Sequence, residues 1–163
     1  MKKLVVYYSY TGNTKRIAEM ISKRLACDIL EVKPRIPFSS DYDAVVEEYQ
    51  NNSIDNKEVK IEDISVSLEE YDESIVGFPV WWYTINPVIV TFLKSHDLTG
   101  KKVYSFATNA GWLGHSFLDF HKLCLSFEQR NGINIVFDSE NREKLITSEE
   151  KINGWIDTNI GDN

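Results

Sequence analysis

The sequence predicts an α/β fold in one domain over residues 1–163: a doubly wound, five-stranded parallel sheet between two layers of helices, three layers in all. Three observations predict it. The run Leu4-Val5-Val6-Tyr7-Tyr8 is apolar without alternation, the mark of a strand buried on both faces. Strand patterns and amphipathic helical patterns then alternate along the chain, as crossover helices over a parallel sheet require. No repeat or low-complexity linker divides the 163 residues, a length whose single core needs neither disulfide nor metal.

The first strand leads through a hydroxyl-rich turn into a helix from Asn13 to Leu25. Ile17, Met20, Ile21 and Leu25 share one face of this helix, while Lys15, Arg16, Lys23 and Arg24 face water. Asp28–Val32 reads as a second strand, closed by Pro34 and Pro37, and Asp41–Gln50 as a helix with Tyr42, Val45, Val46 and Tyr49 on its apolar face. Residues 51–70 are polar and acidic with scattered Ile and Val, and give no clear period; the acidic run within 69–73 reads as a solvated approach to the next strand or part of a docking face. Glu73–Pro79 is the third strand, followed by an aromatic loop and a helix from Asn86 to Ser95 that buries Ile89, Phe92 and Leu93. The fourth strand, Lys102–Thr108, precedes a helix predicted over Ser116–Arg130, with Phe117, Phe120, Cys124 and Phe127 inward. Asn131-Gly132 stops that helix, and Ile133–Phe137 is the fifth strand. The last helix, Ser148–Asn159, opens on a Ser148 cap and buries Ile152, Trp155 and Ile156.

A strand order of 2-1-3-4-5 sets strands one and three side by side at the switch point. Right-handed crossovers then place helices one and five on one face and helices three and four on the other. Cys27 and Cys124, the only two cysteines, fall on opposite faces and read as buried free thiols.

A chain that is 42% hydrophobic and 26% charged is an ordinary soluble one. Its net charge of −7 argues against nucleic acid or an anionic membrane as partner and suits docking to a basic protein. No apolar run approaches the ~20 residues of a membrane span. Met1-Lys2-Lys3 leads straight into a strand too short for a signal core, so the expected location is the cytoplasm.

In an open parallel sheet the ligand lies beyond the carboxyl ends of the strands, where three unusual segments fall. The first, Ser9-Tyr10-Thr11-Gly12-Asn13-Thr14, offers the free amides of a helix N-terminus, several side-chain donors and a glycine for close approach. It carries no Lys or Arg, so it would hold a phosphate through neutral donors. The second, Pro79-Val80-Trp81-Trp82-Tyr83, has three successive aromatics, which cannot all enter one core; they form a stacking platform or, on the plainer reading, cover the sheet edge. The third, Thr108-Asn109-Ala110-Gly111-Trp112-Leu113-Gly114, adds small residues and free backbone groups. Together they describe a site for a flat, phosphorylated heteroaromatic.

Several alternatives lack their residues. The first turn has neither the Gly-Lys-Ser/Thr of a P-loop nor the Gly-x-Gly-x-x-Gly of a dinucleotide fold, and no phosphatase cysteine stands in it. No acidic pair follows strand one and no Asp ends strand three, which excludes a phospho-accepting receiver. His96 sits at a helix end where a cation suits the dipole, His121 lies within a helix, and His115 follows the third loop as a cap or a solvent-exposed side chain, with the cofactor within its possible reach. The three have no metal-ligand spacing.

On these three segments the chain resembles the flavodoxin family over nearly its whole length. Ser9–Thr14 matches the family's Thr/Ser-x-Thr-Gly-x-Thr phosphate loop, and Gly77–Tyr83 is similar to the second loop of a bacterial subgroup, where it lines the isoalloxazine ring. Thr108–Ser116 corresponds to a third loop usually reading Thr-Ser-Gly-Gly-Ser-Gly-x-Gly-x-Ser; Asn109 and Ala110 replace its Ser and first Gly, and Trp112 its later Ser. The resemblance implies a flavodoxin-like fold with flavin mononucleotide (FMN) held by the three segments, and Trp112 placed to be the ring's outer stacking partner. It also implies a low-potential one-electron carrier, a monomer passing electrons from a reductase to an acceptor protein. Aromatic walls and the negative net charge fit a low potential, because both disfavour added negative charge. A backbone carbonyl within 79–83 is the expected acceptor for a proton on flavin nitrogen five. The alternatives are an FMN-dependent NAD(P)H oxidoreductase acting on quinones or nitroaromatics, and a flavin-free interaction domain on the same fold.

Overall fold

The computed structural model describes residues 1–50 and 58–161, apart from the side chains of Tyr49 and Gln50. The expectations for Tyr49 and for residues 51–57 lie outside the described residues. The elements in order are β1 (Lys3–Tyr7), α1 (Asn13–Leu25), β2 (Asp28–Glu31), α2 (Tyr42–Gln50), β3 (Glu73–Trp81), β4 (Thr84–Ile85), α3 (Pro87–Ser95), β5 (Lys102–Asn109), α4 (Ser116–Leu123), β6 (Glu128–Gln129), β7 (Ile133–Val136) and α5 (Glu149–Asn159).

The parallel sheet runs β2-β1-β3-β5, with β6 and β7 both against the outer side of β5. Five positions in the order 2-1-3-4-5 are thus filled, the fifth by two short strands with 130–132 between them. The antiparallel β4 is a return of β3. Register is set at the amino edge, where the nearly buried Glu73 lies opposite both Lys3 and Lys102, at 3.9 and 3.5 Å. From there the strands run in phase until Pro79 is level with Thr108 and Tyr7 with Gly77, so the three loops leave neighbouring strand ends.

Each face has its own core. On one, Ile17, Ala18 and Ile21 of α1 meet Ile152 and Ile156 of α5 over Val5, Ile75, Phe106 and Ile135. Arg24 clamps Asp157 with two nitrogens across these helices. On the other, Val45 of α2, Val88, Ile89 and Phe92 of α3 and Phe120 of α4 cover Leu4, Val76 and Phe78. Cys124 is buried in the second core and Cys27 packs half-buried against the first, so the two free thiols are on opposite faces as expected, but only Cys124 is fully buried. Beyond residue 57 the unreadable segment follows the edge of β2: Pro34 bridges Ile61, the Arg35 amide donates to the Lys60 carbonyl, and Ile61 and Leu68 are buried.

Two element boundaries correct the sequence reading. The helix predicted to reach Arg130 ends at Leu123. Its apolar spacing continues through tight turns, in which Cys124 and Phe127 bond back three residues, and Gln129 Nε2 donates to the carbonyls of His121 and Cys124 in place of a further helical turn. Gln129 is thereby fixed beside Val103 and the chain turns into β6. The aromatic segment is likewise not a free loop: Val80 and Trp81 continue β3 and pair with Ile85 and Thr84. Among the described residues no helix is long and apolar enough to cross a membrane, and no group of three or more His, Cys, Asp or Glu is placed to hold a metal.

Candidate functional site

A cavity of about 420 Å³ opens at the carboxyl edge of the sheet, at the β1/β3 switch point. All three predicted segments line it: Tyr10, Thr11 and Asn13 from the first, the whole of Pro79–Tyr83 from the second, and Thr108, Asn109, Ala110 and Trp112 from the third. Ser9, Gly12, Thr14 and Gly111 are not part of its lining.

The first segment is built by α1. Gly12 caps the helix with φ +99°, a backbone state that side chains rarely adopt, and its amide donates to Ser9 Oγ at 3.1 Å. No side chain caps the next amides, and those of Asn13, Thr14 and Lys15 find no acceptor among the described residues. Three aligned donors at the positive end of a 13-residue helix are an anion site. Two of the predicted side-chain donors are already engaged. The Thr14 hydroxyl is buried against that of Thr108 at 2.7 Å, and Asn13 Nδ2 donates to the Arg142 carbonyl at 2.7 Å. The first segment therefore offers mainly backbone donors.

The second segment is a two-residue hairpin. Trp82 and Tyr83 between the paired Trp81 and Thr84 both have positive φ, +48° and +67°, the arrangement of a type I′ turn. Such turns ordinarily use Asn and Gly; holding two bulky aromatics there costs of order 1–3 kcal/mol each. The third loop holds the turn in place. The His115 amide donates to the Tyr83 carbonyl at 2.8 Å, and Gly114 passes so close that a Cβ would sit 2.3 Å from Tyr83 Cβ. Asp119 Oδ2 accepts from Thr84 Oγ1 and is paired with His115 Nδ1. His115 is thus an exposed residue at the start of α4, and its work is to brace the hairpin.

The turn distributes the aromatics. Trp81 is buried and edge-on to Tyr8, Tyr10 and Phe38, whereas Tyr83 and Trp112 stand more than half exposed, at 54% and 57%, on the rim. Burial pushes the Tyr10 phenol above its ordinary range, and its hydroxyl donates to the Ser39 carbonyl at 2.5 Å, tying the first loop to the approach to α2. Three further groups line the cavity that the sequence reading missed: Tyr42 and Val45 of α2, Phe137–Ser139 after β7, and Arg142. Position after a strand that ends at the same edge was the available signal for residues 137–142.

The family model for flavodoxin matches residues 2–158. This chain belongs to the flavodoxin family. Among solved structures, a presumed flavoprotein from Bacteroides eggerthii is similar at 29% identity and TM-score 0.78, with 96% of each chain covered. A flavoprotein from Lactobacillus acidophilus, solved in complex with FMN, is similar at 25% identity and TM-score 0.65, over 82% of this chain and 92% of that one. Oxidised flavodoxin 1 from Bacillus cereus, 18% identical with TM-score 0.56 over 97% and 94% of the two chains, shares the fold. No curated protein matches the chain.

Proposed function

We propose that this flavodoxin-family chain binds FMN and works as a one-electron carrier between redox proteins. The cofactor fits the residues present: acceptor-free amides of α1 for the phosphate, and a cavity walled by Trp81, Trp82 and Tyr83 for the ring. The bound flavin supplies single-electron chemistry that no side chain here provides. Trp81, Trp82 and Tyr83 would hold and orient it, and Tyr83 and Trp112 would stand at the exposed rim of its site.

One observation carries the carrier reading. The cavity, about 420 Å³ and within the ~300–1,000 Å³ usual for small-molecule sites, carries among the described residues a single cation, Arg142, rather than the clustered arginines that would clamp a nicotinamide phosphate. The net charge of −7 supports basic partner surfaces and, with the aromatic walls, a low potential. The test mixes FMN-loaded protein with NADPH or NADH and a quinone or nitroaromatic acceptor. A carrier turns over only when a separate reductase is added; turnover by the protein alone makes it an oxidoreductase.

A further inference from the structure

The loop between β7 and α5 is a compact, self-bonded unit pinned over the start of α1. Its ends are joined by the Asp138 amide donating to the Lys144 carbonyl at 2.8 Å, and the Lys144 amide donates back to that of Asn141 at 2.9 Å. The Asp138 carboxylate accepts the amides of Glu140 and Asn141, at 2.9 and 2.7 Å, which hold its carboxyl below the ordinary range. Asn13 Nδ2 donates to the Arg142 carbonyl at 2.7 Å and Arg16 Nη1 to the Glu143 carbonyl at 3.1 Å, so the loop is fixed to the first turn of the very helix whose amides are free.

From this position Arg142 reaches toward α2. Its guanidinium carbon lies 4.7 Å from the centre of the Tyr42 ring, and both residues line the cavity. The ring holds the guanidinium by cation–π attraction without neutralising it. Among the described residues Arg142 forms no ion pair and is the one lysine or arginine that lines the cavity. Asp138, among the described residues the one carboxylate on the wall, is occupied by two backbone amides. A cation without an ion-pair partner thus lines the cavity from a loop that is bonded to the first turn of α1, the turn whose amides lack acceptors.

We propose that Arg142 completes the phosphate site and is the residue that makes this chain select a phosphorylated flavin over unphosphorylated riboflavin, with Tyr42 as the positioning residue that holds it at the cavity. The inference rests on the FMN reading above and corrects the expectation of an all-neutral phosphate site. It follows from charge: neutral amides hydrogen-bond a phosphate, whereas a guanidinium adds a planar set of donors and a full positive charge that riboflavin cannot use.

The test is a fluorescence-quenching titration of the full chain, with FMN and with riboflavin, at low and high salt. The variants are Arg142→Gln, Arg142→Lys and Tyr42→Leu. Arg142→Gln is expected to weaken FMN about ten- to a hundredfold, the range of a hydrogen bond to a charged group, and to leave riboflavin within about twofold. Salt should weaken FMN binding to the native chain and not to this variant; Arg142→Lys should recover part of the loss, and Tyr42→Leu should weaken FMN more than riboflavin. Equal weakening of both flavins by Arg142→Gln would make Arg142 a structural part of the loop and overturn the proposal, as would unchanged FMN affinity. A native chain that binds neither flavin overturns the FMN reading itself, which is a different result from any of these.

Discussion

Thr14 is not part of the cavity lining. Its hydroxyl is paired with Thr108 in a buried contact that joins the first segment to the end of β5. Thr14→Val therefore leaves Thr108 with a buried hydroxyl lacking its partner, at a cost of about 1–3 kcal/mol, and lets the phosphate turn loosen. Chemical denaturation should show that loss, and FMN should bind more weakly than to the native chain; unchanged affinity would mean that the turn keeps its shape without this bond. Cys124 permits a second check at this scale. Burial in the core under α3 and α4 pushes its thiol up to about 12, against an ordinary value of about 9. A raised pKa means that the contribution to stability is intact below pH ~9 and is lost as pH climbs from there toward 12. Alkylation at pH 8 should leave Cys124 unmodified in the folded protein and modify it in denaturant; modification at equal rates in both would contradict the burial. The residue types at the site were legible, because Ser9–Thr14 carries its chemistry in consecutive positions. Arg142 was not, because its link to the site depends on how a distant loop folds back onto Asn13.

At the scale of elements, helices with strong periodicity and a cap were legible nearly to the residue. α1 occupies the predicted Asn13–Leu25, and α5 starts directly after Ser148, whose hydroxyl accepts the Lys151 amide. Where side chains override local pattern, the reading failed. Gln129 ends α4 early by satisfying carbonyls that a longer helix would have bonded, and nothing in Trp81-Trp82-Tyr83-Thr84 advertises a type I′ turn, since neither Asn nor Gly is at its apex. That turn is imposed by the third loop. Gly114→Ala puts a methyl into Tyr83 at a φ of +58°, so it should release the hairpin. We expect a lowered melting temperature and at least a severalfold loss of FMN affinity, measured by differential scanning calorimetry and flavin titration; a variant that matches the native chain in both would show that the hairpin holds its own shape. Asp119→Asn tests the second brace more gently, by weakening its pairing with His115 while leaving the Tyr83 backbone contact in place.

For the whole molecule, the order 2-1-3-4-5 followed from alternation of strands and helices and from the handedness of crossovers, and the sheet has it. That order alone brings segments about 70 and 100 residues apart in sequence to one edge, so the site was readable once the topology was. Its outer rim was less so: the exposure of Tyr83 follows from a turn that its sequence does not signal. With a net charge of −7, encounter with a basic partner should be steered by long-range attraction. The rate of electron transfer to a basic acceptor protein should fall as ionic strength rises; a rate independent of salt would argue for a partner recognised by its apolar surface alone.

Stepwise anaerobic reduction of the FMN-loaded protein, followed by visible absorbance, shows whether the bound flavin takes up its electrons singly. The carrier role requires that a one-electron-reduced flavin accumulate midway through the titration as a distinct long-wavelength band, because a carrier needs its two steps well separated. Direct passage from oxidised to fully reduced flavin, with no intermediate band, would contradict it and point to two-electron hydride chemistry.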